Sequence, residues 1–99
     1  METLLPSPLP DRIDQENWEK LHLHLSQSIG ALLQQGELER LMQIFYRLDV
    51  SEIIVQRIFK TQPSELWPEL LATEMLKREQ KRLYYRNLYK NADHSELPE

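Results

Sequence analysis

The 99-residue chain contains no cysteine, which excludes disulfides, thiolate metal sites and cysteine nucleophiles. Glycine occurs twice, as the isolated residues Gly30 and Gly36, so no Gly-rich loop is available to cradle a phosphate. No apolar run approaches the roughly 20 residues that a membrane span requires. The opening METLLPSPLP carries Glu2 and three prolines where a secretory signal has a basic segment followed by an apolar one. These absences predict a cytoplasmic protein. Histidine is scarce as well. His22 and His24 are two apart and point to opposite sides of any helix, and His94 lies near the C-terminus, so no metal site is expected. His22 and Ser26 are four apart, but no carboxylate is spaced to orient the histidine, which makes them a surface pair. No acid stands alone in an apolar run where burial would tune it for proton transfer. The expectation is a protein that is not an enzyme, with no catalytic residues and no cofactor.

What is present is helical periodicity, densest from Glu37 to Lys60 (ELERLMQIFYRLDVSEIIVQRIFK). Leu38, Leu41, Met42, Phe45 and Leu48 recur at steps of three and four, which places them on one helix face, with Glu37, Glu39, Arg40, Gln43 and Arg47 on the other. Ser51 is placed to cap a second helix, Glu52 suits its first turn, and Val50 and Val55 stand at the two staple positions. Ile53, Ile54, Val55, Ile58 and Phe59 span so wide an arc that this helix is expected to be wedged between neighbours.

Upstream, three prolines predict an extended arm over residues 1–13, its apolar residues Leu4, Leu5, Leu9 and Ile13 laid across the helices. A first helix follows, with Asp14 as N-cap, Ile13 and Trp18 as staple and Gly36 as the left-handed stop. Its inner stripe is Trp18, Leu21, Leu25, Ile29 and Leu32, and Gly30 within it marks a close helix crossing. Downstream, Pro63 and Pro68 bracket a connector with a single turn, and the last helix starts at Pro68. Leu70, Leu71, Met75 and Leu76 reach the core, residues 77–82 are polar all round, and Leu83, Tyr84, Tyr85, Leu88 and Tyr89 then resume the apolar pattern. The predicted fold is an all-α, single four-helix domain over residues 14–90. Its helices lie at about 15–35, 37–48, 51–60 and 68–89, the third short and the last long and projecting, before a flexible acidic tail at 91–99.

Two resemblances centre on the same stretch. Val50-Ser51, Ile54-Val55 and Arg57-Ile58 resemble the turn and second helix of a DNA-binding helix-turn-helix, although Phe45 and Asp49 stand where that motif has a small residue and a glycine. MQIFYRLDVSE with the later EMLKREQKR resembles a group of small uncharacterised bacterial helical proteins with a Tyr-Arg-hydrophobic-Asp-Val turn and a Lys/Arg-rich last helix. The second resemblance spans about Leu38 to Arg86; it implies a helical fold and no particular chemistry.

Charge is segregated. Residues 1–76 hold 6 Lys and Arg against 12 Asp and Glu, residues 77–90 hold 6 against 1, and residues 91–99 hold 0 against 3. A basic helix on an acidic body points to self-association or to an anionic partner. Leu83, Tyr84, Tyr85, Leu88 and Tyr89 form the candidate interface, because tyrosine and leucine clusters mark interfaces more often than solvent. Lys77, Arg78, Lys81, Arg82, Arg86 and Lys90 form the candidate partner-binding or anion-binding set. The expected function is a small interaction protein that forms a homo-oligomer, a dimer first, or binds another protein. The alternative is nucleic-acid binding through the corner at 48–60 or the basic helix at 77–90.

Overall fold

The computed structural model describes the backbone of residues 13–96 and the side chains of residues 13–89; of the expected arm at 1–13, all but Ile13 lies outside the described residues. Four α-helices form, α1 (Gln15–Gln34), α2 (Leu38–Arg47), α3 (Glu52–Thr61) and α4 (Trp67–Glu96), with a 3-10 turn at Ser64–Leu66 before the last. No strand occurs among the described residues. None of these helices is long and apolar enough to cross a membrane.

Helix boundaries follow local chemistry. Asp14 accepts the Asn17 N–H at 2.9 Å, and Ser51 accepts the Ile54 N–H at 3.4 Å, each satisfying a donor that has no partner within its helix. Helix α1 closes with a paired motif in which the Glu37 N–H reaches Leu32 O at 2.8 Å and the Gly36 N–H reaches Leu33 O at 3.2 Å. That closure requires the left-handed backbone found at Gly36, φ 74°. Helix α2 ends in the same motif, with the Val50 N–H on Phe45 O at 3.0 Å and the Asp49 N–H on Tyr46 O at 3.1 Å. Here the left-handed position, φ 62°, is occupied by Asp49, one of the few side chains that tolerate it.

Helices α1 and α4 run antiparallel and form the main contact of the molecule. A Cβ built on Gly30 would lie 3.7 Å from Pro68 Cγ, so the expected close crossing is there, with room for a methyl group. Farther along, Gln80 Nε2 donates to Ile13 O at 2.9 Å, which ties the start of α1 to the middle of α4. Ile13 is therefore buried, 6% exposed, and belongs to the core instead of the arm. The core gathers Leu21, Leu25, Ile29 and Leu32 of α1, Leu41 and Phe45 of α2, Val55 and Ile58 of α3, and Leu71, Ala72, Met75, Leu76 and Leu83 of α4.

Several expectations fail on α2 and α3. Leu38 is exposed, because only Leu41 and Phe45 of α2 are fully buried and Leu38 lies on the first turn. Helix α3 is not wedged: it packs on α4 through Val55 and Ile58, leaves Ile53 71% exposed, and half-buries Ile54 and Phe59. The α3–α4 connection is held by an edge-to-face contact of Phe59 on Trp67, centroids 4.8 Å apart, and by Trp67 Nε1 donating to Gln62 O at 3.0 Å. Helix α4 begins at Trp67, one residue before Pro68, and continues past the expected end at Tyr89 to Glu96.

Candidate interaction surface

The buried stripe of α4 runs Leu71, Met75, Glu79, Leu83 in steps of four, which keeps one face of the helix turned to the bundle. Residues 77–82 carry no apolar side chain, as expected, but they are not solvated all round. Glu79 is 1% exposed and carries the stripe across this segment. Its carboxylate accepts from Arg82 Nη2 at 2.7 Å and from Arg82 Nε at 3.1 Å. The Glu79 hydrogen bond, with burial opposing and coulombic attraction adding, raises the Arg82 pKa above the ordinary guanidinium value. In the sequence this acid is the single carboxylate among residues 77–90, and its spacing from Met75 and Leu83 marks the position as inward-facing.

Leu83 is the main correction to the candidate interface. It is 3% exposed and completes the core cluster that contains Ile13. At about 100° per residue, Tyr84, Tyr85, Leu88 and Tyr89 lie about 100°, 200°, 140° and 240° around the helix from Leu83, on the side turned away from the bundle. They are 62%, 44%, 46% and 67% exposed, and the rings of Tyr84 and Tyr85 meet edge to face with centroids 5.3 Å apart. The apolar pattern thus does not resume after an interruption. The inward stripe ends at Leu83, and a separate outward face begins at Tyr84.

The six candidate cations divide. Lys77 lies 3.5 Å from Glu74, and Arg78 Nη2 donates to Asp49 Oδ2 at 2.9 Å across the α2–α3 turn. Arg82 is committed to Glu79. Lys81 and Arg86 are exposed and make no ion pair among the described residues. The side chain of Lys90 lies outside the described residues. Lys81 falls about 160° from Leu83, on the same outward face as the aromatics and one turn ahead of them.

The other candidate surfaces are less organised. Glu52, Ile53, Gln56, Arg57 and Lys60 of α3 are exposed, as a reading helix would need, but they offer one acid and two cations. A groove of about 610 Å³ separates α2 from α3, lined by Met42, Phe45, Tyr46, Val50 and Val55 with Glu39, Arg47 and Glu52. His22 and Ser26 do not form a surface pair. His22 Nε2 lies 3.0 Å from Glu69 O and 3.0 Å from Thr73 Oγ1, so it clamps α1 to α4, while Ser26 Oγ is buried with no hydrogen-bond partner among the described residues. Because a carbonyl can only accept, His22 Nε2 carries the hydrogen in this contact. No cluster of three or more His, Asp or Glu able to hold a metal occurs among the described residues.

No protein-family model, curated protein or solved structure matches this chain. The functional reading accordingly rests on the surface itself.

Proposed function

We propose that this is a small protein-interaction protein without catalytic activity of its own, which self-associates through the outward face of α4. The observation that carries the reading is the position of Tyr84, Tyr85, Leu88 and Tyr89. They sit together on a segment of helix that runs beyond the start of α1 and are 44–67% exposed. A tyrosine brings large area at small entropic cost and an O–H that stays solvated at the rim, which suits an interface that must also survive in water. Two copies of one chain joining through the same patch is the commonest arrangement of homo-oligomers.

Light scattering across a concentration series, on the native chain and on a Tyr84→Ser, Leu88→Gln double variant, tests this reading. Both side chains are exposed, so the variant should keep its helical circular dichroism. The native chain should approach twice its monomer mass at high concentration and the variant should remain monomeric. A native chain that is monomeric throughout rejects the reading, and a variant that still dimerises moves the interface elsewhere.

A further inference from the structure

Resting on the self-association proposed above, we infer that two copies pack their α4 segments antiparallel, about a twofold axis that crosses the helices between residues 86 and 87. One feature sets the register and two set the antiparallel sense.

The first is the spacing of the patch. About an axis between 86 and 87, Tyr84 of one copy comes level with Tyr89 of the other, and Tyr85 comes level with Leu88. All four exposed apolar residues then face exposed apolar residues and none is left over. Shifting the axis by a residue either way breaks both matches. Few patches this small specify a register at all; this one does because its two pairs are nested about a common centre.

The second is charge. A parallel pair would set residues 77–90, with 6 Lys and Arg against 1 acid, beside their own copy. Like charges held side by side repel, and the cost rises as water leaves the contact. The antiparallel pair instead sets residues 77–82 of one copy level with residues 91–96 of the other. Basic turns meet acidic turns twice, once at each end of the contact.

The third is space. Helix α4 is continuous to Glu96, so the partner's α4 would end level with Lys77. On that stretch the buried stripe faces the bundle, while the Lys77 and Lys81 side of α4 is exposed. A partner helix along that exposed side lies opposite the buried stripe, and the two bundles end up at opposite ends of the contact. In a parallel pair both bundles would stand at the same end. The patch is four partly exposed side chains, few for a stable interface. The dimer should dissociate on dilution.

Because the chain has no cysteine, single cysteines report the geometry cleanly. Lys81 comes level with Ala92 in the inferred register. Full-length Lys81→Cys and Ala92→Cys chains would be oxidised separately and as an equimolar mixture at a concentration where light scattering gives a dimer, and the products mapped by mass spectrometry. The expected result is an 81–92 cross-link in the mixture and little dimer from either chain alone. Efficient cross-linking of each chain to itself means a parallel pair and overturns the inference while leaving self-association standing. A dimer by light scattering that cross-links in none of the three samples places the contact elsewhere and overturns it too. A chain that never dimerises removes both the inference and the reading beneath it.

Discussion

Glu79 stands where the helix pattern calls for an aliphatic side chain, and its single described partner, Arg82, is itself half exposed. A carboxylate out of water is costly unless a cation and its hydrogen bonds replace the lost hydration. The two members of the pair should therefore respond unequally to mutation. Arg82→Ala strands a buried charge and should cost about 3 kcal/mol, near the low end for a broken buried pair because the arginine is partly solvated. Glu79→Leu removes the buried charge, leaves an arginine that water can solvate, and should change stability by less than about 1 kcal/mol. Urea denaturation of the two variants decides the matter, and equal losses would mean that Glu79 is not desolvated as described. Asp49 shows a similar economy. Its left-handed backbone is uncommon for any residue but glycine, and its carboxylate, on a turn that α4 must pass, receives Arg78.

At the scale of elements, the signals that were legible in the sequence are those whose physics is local. Asp14, Gly36 and Ser51 act within one turn of their own position, so the caps and the ends of α1 and α3 lie within a residue or so of expectation. The stripe Leu21, Leu25, Ile29 and Leu32 was legible for the same reason. The exposure of Ile53 and Leu38 was not, because it depends on which neighbours exist, and a periodic pattern says that a face is apolar without saying that anything covers it. Leu83 and Tyr84 make the point most sharply. One residue apart, they were grouped by sequence proximity, yet a rotation of about 100° sends one to the core and the other to the outward face. The segment is legible as apolar and aromatic, and its division into an inward and an outward face is legible only as a helical angle. The α2–α3 corner yields its own prediction. Phe45 is 3% exposed while Arg57 is exposed, so Phe45→Ala should cost roughly 3–5 kcal/mol and Arg57→Ala little. Thermal melts would separate them widely, and an unchanged midpoint for Phe45→Ala would remove α2 from the core.

For the whole molecule, the question is whether its charge serves a nucleic acid or a protein. The molecule extends over 53 × 26 × 26 Å, long along one axis, and its net charge is −4. Phosphate binding draws on cations that are free to release counterions. Here Lys77, Arg78 and Arg82 are held by Glu74, Asp49 and Glu79, the last two pairs with short hydrogen bonds. Only the Arg78–Asp49 pair ties α4 to the α2–α3 turn, the other two lying within α4 itself, but each cation so used is less available to a phosphate. The α2–α3 corner has the outline of a helix-turn-helix, including a left-handed residue in its turn, but outline positions a helix and side chains read bases. On the exposed side of α3, Glu52 would face the phosphates that Arg57 and Lys60 attract, and Ile53 can contact only a thymine methyl. Selection from random duplexes at physiological salt should therefore return no enriched sequence motif, and any residual binding should be weak and vanish with modest added salt. A single enriched motif from that selection would instead make α3 a reading helix and turn the α4 cations into its phosphate clamp.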